Sequence, residues 1–425
     1  MSITVIPSKP TGSLAAPPSK SYMQRLLVAA LLAPGPSEII NPGNSRDERQ
    51  MSEVIKKLGA TISFSSDRWE ITGGLKASAD TIEFGESGLG IRLITPVAAM
   101  LDREITITGT GSLRKRPMGI FEKALLESGG YCQTNNGLLP IKIKGPLTGG
   151  EIRLHDPISS QFLSGLLFAL PAAQNDSLIQ VSNLKSIPYV DMTLEVLDLF
   201  GIAIHNSGYH TFKVPGRQVF RPTKTKVEGD WSNAAFFFVM GAVHGNMAIH
   251  GLNPESLQAD KRILDAVKNS GAQWQHHAGA YRFDSPGKLQ AFQFDATDCP
   301  DLFPPLAVLA SYCKGTSAIR GVHRLEHKES NREQAIIKEL SAQGIRVVPG
   351  KNDDLLITGS QPRGGPFDSH NDHRMAMAGA TLATGAREPI EITGAGAVAK
   401  SYPGFFKDLE KLHLNLSYGI GEKQK

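Results

Sequence analysis

Five short polar segments hold the residues whose types and spacing could do chemistry, and each stands directly before a helical run. Pro17-Pro18-Ser19-Lys20-Ser21 precedes YMQRLLVAALLA, Ser159-Ser160-Gln161 precedes FLSGLLFAL, and Arg114-Lys115-Arg116-Pro117 precedes MGIFEKALLESGG. His327-Lys328-Glu329-Ser330-Asn331-Arg332 and Asn371-Asp372-His373-Arg374 stand in the same position further along. A helix start carries unpaired backbone N–H groups and the positive end of the helix dipole, so hydroxyls and cations placed there suit phosphate or carboxylate. Ser21 and Arg25, four residues apart, share one helix face and put a hydroxyl and a guanidinium together. Gln161 follows Ser160 too closely to complete a capping box, which leaves its amide available for a polyol or phosphate. Arg116 and its neighbours are unfavourable at a helix start unless an anion offsets them. Capped helices and surface charge clusters account for each segment taken singly, and both readings stay open at this level.

Carboxylates supply the other half of the chemistry. Glu329 lies between Lys328 and Arg332, a pattern that serves as a surface ion pair or as a general acid held beside a bound anion. Asp301 precedes LFPPLAVLASYC and can cap that helix or hold and deprotonate a substrate hydroxyl. Glu228-Gly229-Asp230 reads as capping and hinge geometry, His373 as a structural hydrogen-bonding group, and Lys400 by composition as a surface lysine. Gly394-Ala395-Gly396-Ala397-Val398-Ala399 matches a dinucleotide-binding pattern, but Ser401-Tyr402-Pro403-Gly404 interrupts the helix that pattern requires. The histidines, His276-His277 included, lack metal-ligand spacing, so no metal is expected.

The elements that must position these groups form a repeat. An amphipathic helix running into glycine and then a short strand recurs at Gly59, Gly130, Gly201, Gly271 and Gly344, with spacings of 71, 71, 70 and 73 residues. Glycine is expected there in the left-handed conformation that ends a helix. A sixth unit, Phe405 to Leu416, has the helix and strand without the glycine. Each unit carries an earlier helix too, for example Ser21 to Ala33, Leu163 to Leu170, Ala234 to Val243 and Met375 to Thr384, and strands such as Glu104 to Thr108 fill the gaps. The expected fold class is α/β, six units of about 70 residues cut near residue 228 into two domains of three.

Composition bounds the rest. The chain has 425 residues, more than one core usually supports, and 45 Lys and Arg against 41 Asp and Glu, too balanced for a general nucleic-acid binder. Three cysteines without a CxxC give neither a disulfide framework nor a zinc ribbon, and fit a reducing cytoplasm. No signal peptide and no membrane span are read, and nothing demands more than a monomer.

Taken in order, these segments resemble the 5-enolpyruvylshikimate-3-phosphate synthases, members of the enolpyruvyl transferases. The resemblance rests on Pro18-Ser19-Lys20-Ser21 with Arg25, the Gly85 to Arg92 loop, Arg116-Pro117, Ser159 to Leu163, Ser186 to Asp191, Glu228-Gly229-Asp230, Lys328-Glu329 with Arg332, Asn371 to Met377, and Lys400. It implies two domains, each of three βαβαββ units in an inside-out α/β barrel, with the active site in the cleft between them. The division it implies is residues 1–18 with 229–425, and residues 19–228. It implies shikimate 3-phosphate ligands at Lys20, Ser21, Arg25, Ser159, Ser160, Gln161, Ser186, Asp301 and Lys328, with Tyr189 lining the pocket. It implies phosphoenolpyruvate ligands at Lys20, Gly88, Arg116, Gln161, Arg332, Arg374 and Lys400. Lys20, Asp301 and Glu329 take the catalytic roles, and no cofactor is required. The loop reads GESGLGIR where many members have GNAGTAMR, so Glu86 and Leu89 depart from the pattern, as does Leu93 in place of a usual proline. Arg324 stands where some members carry an asparagine. An altered response to glyphosate with catalysis retained is the expectation. The sister family acting on UDP-N-acetylglucosamine typically has Lys-Asn where this chain has Lys20-Ser21.

Overall fold

The computed structural model describes residues 1–284 and 288–419. Among them are twelve α-helices in six pairs: α1 (Lys20–Leu32) and α2 (Arg46–Lys57), α3 (Gly88–Ala98) and α4 (Ile120–Glu127), α5 (Gln161–Ala169) and α6 (Ile187–Leu199), α7 (Trp231–His244) and α8 (Ile263–Asn269), α9 (Phe303–Tyr312) and α10 (Arg332–Ala342), and α11 (His373–Ala383) and α12 (Phe405–Lys411). The chain divides into two compact units, one of Met1–Pro17 with Gly229–Lys425 and one of Pro18–Glu228.

The repeat is visible in the strands. Among the described residues, six sheets of four strands share one plan: an edge strand parallel to the second, then two antiparallel pairings. Thr81–Glu83 runs parallel to Glu104–Thr108, which pairs antiparallel with Leu138–Lys144, itself antiparallel to Tyr131–Asn135. Three sheets borrow a strand from a remote stretch of the chain. Lys224–Lys226 pairs with Pro36–Ile40, Gly12–Ala15 with Met247–His250, and Ser2–Ile6 lies between Ile390–Thr393 and Asn415–Tyr418.

The first helix of each pair is apolar on nearly every face, which buries it within its unit. Tyr22 to Leu31 of α1, every residue of α3 and Phe303 to Ser311 of α9 are buried. These helices begin up to three residues earlier than the apolar runs suggest, at Lys20, Gln161, Trp231 and His373. The first turn needs no internal partners for its N–H groups, so the polar motifs are accommodated inside the helix and their side chains end at its mouth.

The second helices end alike. The N–H groups of Ala60, Gly130, Ile202, Ala272, Ile345 and Leu414 each return to the carbonyl five residues back, at 2.8–3.2 Å. The preceding residue is left-handed, as in a Schellman motif: Gly59, Gly129, Gly201, Gly271, Gly344 and, in the sixth unit, His413 at φ 62°. The expectation at Gly130 is thereby corrected to Gly129 (φ 85°), because Gly130 supplies the returning N–H. No helix among the described residues is long and apolar enough to cross a membrane.

Candidate functional site

In the unit of residues 18–228, the starts of α1, α3 and α5 are tied together. Ser19 caps α1 by accepting from Tyr22 N, and Ser87 caps α3 by accepting from Gly90 N. Gln24 Nε2 donates to Ser87 Oγ at 3.3 Å, and Arg92 Nη1 donates to Gln161 Oε1 at 2.9 Å. Lys20 Nζ donates to Asp47 Oδ2 of α2 at 2.9 Å. The Arg116 guanidinium lies against the start of α3: a Cβ on Gly88 would stand 2.4 Å from Arg116 Nη1. A cation packed on the positive end of a helix marks a place for an anion.

Arg25 carries a second positive centre. Its guanidinium donates to Thr193 Oγ1 at 2.9 Å, Ser21 O at 2.8 Å and Tyr189 O at 3.0 Å, all neutral acceptors. Burial pushes its pKa down to about 10, against the opposing effect of Tyr189. A buried guanidinium fixed by neutral oxygens keeps its charge for a ligand. Ser159 Oγ accepts from Gln161 N at 3.3 Å, whereas Ser160, the residue before α5, makes no capping bond through its side chain. Ser186 precedes α6 in the left-handed conformation. Arg114-Lys115-Arg116-Pro117 does not stand directly before a helix as the sequence suggests. Arg116 closes a 3-10 turn, Gly111–Lys115, and α4 begins only at Ile120, so Pro117 lies in the link between them.

In the other unit, Asp301 caps nothing. It lies in the turn Pro300–Leu302 ahead of α9, and its carboxylate receives Lys328 Nζ at 3.3 Å, Arg332 Nη1 at 2.6 Å and Arg374 Nη2 at 3.1 Å. Burial pushes its carboxyl up, but the Arg374, Lys328 and Arg332 charges outweigh that and hold it well below the ordinary range. Glu329 Oε2 meets the same guanidinium at Arg332 Nη2, 2.6 Å, and Asp372 Oδ2 takes Arg332 Nε at 2.8 Å. One buried arginine thus holds three carboxylates. Burial also pushes Lys328 down, to about 8, with Arg332 and Arg324 adding to the effect and Asp301 opposing it. Lys400 Nζ donates to Asn371 O at 2.7 Å, which brings it to the start of α11. It is buried, which corrects the surface placement suggested by composition. Arg374 Nε and Nη1 are buried without a hydrogen-bond partner among the described residues, two donors that an anion would satisfy.

The expected residues therefore gather in two groups. Lys20, Ser21, Gly88, Ser159, Ser160, Gln161 and Ser186 stand at helix starts of one unit, with Arg25 one turn into α1 and Arg116 packed on the start of α3, and Asp301, Lys328, Glu329, Arg332 and Arg374 form the cluster of the other, with Lys400 at the start of α11. Sequence reasoning missed Asp47, Arg92 and the second role of Asp372. Asp47 was detectable only as part of a capping box formed by Ser45 and Glu48, which by itself explains an acidic first turn. Asp230 caps α7 as expected, accepting from Asn233 N at 2.8 Å. Residues Ala395–Lys400 form a 3-10 turn in place of the helix that dinucleotide binding requires. Among the described residues no group of three or more His, Cys, Asp or Glu side chains is placed to hold a metal ion.

Comparison with known proteins converges on one family. The model of EPSP synthase (3-phosphoshikimate 1-carboxyvinyltransferase) matches residues 5–409. A 3-phosphoshikimate 1-carboxyvinyltransferase of Clostridium kluyveri is 38% identical over 414 residues, covering 96% of this chain and 97% of that protein. One from Aeropyrum pernix is 36% identical, with 96% and 95% covered. Among solved structures, EPSP synthase from Acinetobacter baumannii superposes with a TM-score of 0.82 at 25% identity, over 98% of this chain and all of that one. The enolpyruvyl transferase NikO from Streptomyces tendae shares the fold, with a TM-score of 0.78 at 17% identity and 98% of each chain covered.

Proposed function

The chain belongs to the EPSP synthase family, and from that premise we propose that it transfers the enolpyruvyl group of phosphoenolpyruvate to the 5-hydroxyl of shikimate 3-phosphate. The products are 5-enolpyruvylshikimate 3-phosphate and inorganic phosphate. The observation that carries the reading is the seating of Asp301 and Glu329 on the two terminal nitrogens of one guanidinium, that of Arg332, at 2.6 Å each.

Such an arrangement supports an addition followed by an elimination. Glu329 protonates the methylene carbon of phosphoenolpyruvate, and the 5-hydroxyl oxygen attacks the adjacent carbon while its proton passes toward Asp301. The tetrahedral adduct then loses phosphate with its C–O bonding pair, the departing phosphate carries off the proton received at Asp301, and a methyl proton returns to Glu329 to restore the double bond. Asp301 is ionised at neutral pH, because three cations hold its carboxyl well below the usual range. It is a weak base, suited to orienting the hydroxyl and receiving its proton only as the new C–O bond forms.

The remaining residues take binding roles. Arg25, Ser21, Ser159, Ser160, Ser186 and Lys328 hold shikimate 3-phosphate. Arg116, the Gly88 backbone, Arg332, Arg374 and Lys400 hold phosphoenolpyruvate, and Lys20 and Gln161 touch both. Cations fixed before the reaction stabilise charge as it moves between carboxylate and phosphate, without reorganising.

Phosphate release from phosphoenolpyruvate, measured with shikimate 3-phosphate and with UDP-N-acetylglucosamine as alternative acceptors, tests the reading. Release with the first alone is expected. Release with the UDP-sugar alone would assign the chain to the sister reaction.

A further inference from the structure

Two loops of the unit formed by residues 18–228 are stitched together ahead of α3. Thr110 N donates to Gly85 O at 2.7 Å, and Ser112 N donates to Glu86 Oε1 at 2.9 Å. Ser112 is the second residue of the 3-10 turn Gly111–Lys115, so its N–H has no partner within the turn, and a carboxylate from the other loop caps it. The side chain of Glu86 reaches this N–H by crossing Gly111. A Cβ on Gly111 would meet Glu86 Oε1 at 2.0 Å, Cδ at 2.5 Å and Cγ at 2.9 Å. Gly111 is also left-handed, at φ 53°, so both the conformation and the passage of Glu86 demand glycine.

Beyond the turn stands Arg116. Its N–H closes the turn on Leu113 O at 3.1 Å, its Nη2 donates to Ser112 Oγ at 3.4 Å, and its Nη1 lies against the backbone of Gly88. A continuous path of contacts therefore runs from the Glu86 carboxylate through Gly111 and Ser112 to the Arg116 guanidinium at the mouth of α3. Glu86 stands two residues before Gly88, the first residue of α3, so the path closes on itself and sets the guanidinium against the N–H groups with which it would share an anion.

We propose that Glu86 is a positioning residue for phosphoenolpyruvate: it caps the turn that carries Arg116 and holds that guanidinium over the start of α3. It touches no substrate. Its hydrogen-bond acceptor and its length carry the role, and its negative charge does not. The proposal rests on the transfer reading above, and wild-type turnover with shikimate 3-phosphate, measured first, separates failure of that reading from failure of this one.

The test uses the full chain with Glu86→Gln, Glu86→Asp, Glu86→Ala, Gly111→Ala and the double variant Glu86→Ala/Gly111→Ala, reading kcat and the KM for each substrate. Glu86→Gln keeps the acceptor at the same reach, and its KM for phosphoenolpyruvate stays within about threefold of wild type. Glu86→Asp and Glu86→Ala lose the capping bond and raise that KM about tenfold, with the KM for shikimate 3-phosphate within about twofold. Gly111→Ala drives a methyl group into the Glu86 carboxylate, strains a left-handed residue and raises the same KM, and the double variant, which relieves the clash and keeps the strain, shows a rise smaller than the product of the two single rises. A normal KM for phosphoenolpyruvate in Glu86→Asp, an equal rise for both substrates, or a defect in Glu86→Gln as large as that of Glu86→Asp would each overturn the proposal. Glu86→Gln and Glu86→Asp alone decide it if the alanine variants do not fold.

Discussion

Arg332 Nε donates to Asp372 Oδ2 at 2.8 Å, with 1% and 0% of the two side chains exposed. Asp372 also accepts from Arg374 N at 2.9 Å, so one carboxylate fixes α10 and starts α11. The Arg332 charge, against the upward push of burial, holds the Asp372 carboxyl below its ordinary range. A depressed carboxyl contributes stability above its unfolded value, near pH 4, and loses it as the pH falls through the folded value. Wild-type stability, as far as Asp301 and Asp372 determine it, therefore declines below about pH 4.

Arg332→Met reverses the sign. Without the guanidinium, burial and the neighbouring Glu329 charge both push the Asp372 carboxyl up, and its proton affinity rises. A raised carboxyl contributes stability below its unfolded value and loses it as the pH climbs through the folded one. Urea unfolding should show a loss of about 3–5 kcal/mol at pH 7, partly recovered at pH 5. A variant whose stability does not improve on acidification would contradict the cluster's electrostatics.

Lys328 gives opposite trends for activity and stability. Its pKa is pushed down to about 8, against roughly 10.4 in an unfolded chain. Between those values the unfolded chain binds more protons, so the Lys328 contribution to stability rises with pH. The cation needed for a phosphate disappears over the same range. kcat/KM for shikimate 3-phosphate should fall above pH 8, and Lys328→Arg should move that limb beyond the range of the assay. An unchanged limb in the arginine variant would remove Lys328 from phosphate binding.

Glu329→Gln should retain both KM values within a few-fold and lose about 10²–10⁴-fold in kcat, the usual worth of a positioned acid. Its partner Arg332 stays in place through Asp301 and Asp372. Near-normal turnover would take Glu329 out of the proton-transfer role.

How far the fold was legible in the sequence is clearest at the helix ends. Gly59 marks the end of α2 because only glycine is at ease at φ 113°, and five such glycines reveal the period. His413 hides the sixth, since a histidine signals the left-handed conformation it adopts at φ 62° far more weakly than glycine does. The pair Gly129-Gly130 shows a smaller ambiguity: adjacent glycines announce the motif, and only the backbone decides which one turns. At the site, the polar segments were legible because helix starts are local. Asp47 was not, because it reaches Lys20 across 27 residues from a helix start whose acidity has a sufficient local explanation. Asp372 has a sufficient local role too, as the cap of α11, and its second partner, Arg332, lies 40 residues away.

The repeat can be tested through stability. A Cβ on Gly59 would stand 2.4 Å from Gly74 O and 2.8 Å from Lys76 N. Gly59→Ala should cost more than about 1 kcal/mol in urea unfolding, because backbone atoms cannot yield as a side chain can. His413→Gly, which relieves a left-handed residue, should change stability by less than about 1 kcal/mol. A Gly59→Ala variant as stable as wild type would show that the helix end does not require glycine.

The central claim is enolpyruvyl transfer through protonation of the methylene carbon, and the most direct measurement follows the reaction in deuterated water by proton and phosphorus resonance. One phosphate should appear for each enol ether formed on the 5-oxygen of shikimate 3-phosphate, with deuterium entering the methylene group. Phosphate released without the enol ether, or an enol ether formed without deuterium, would contradict the account.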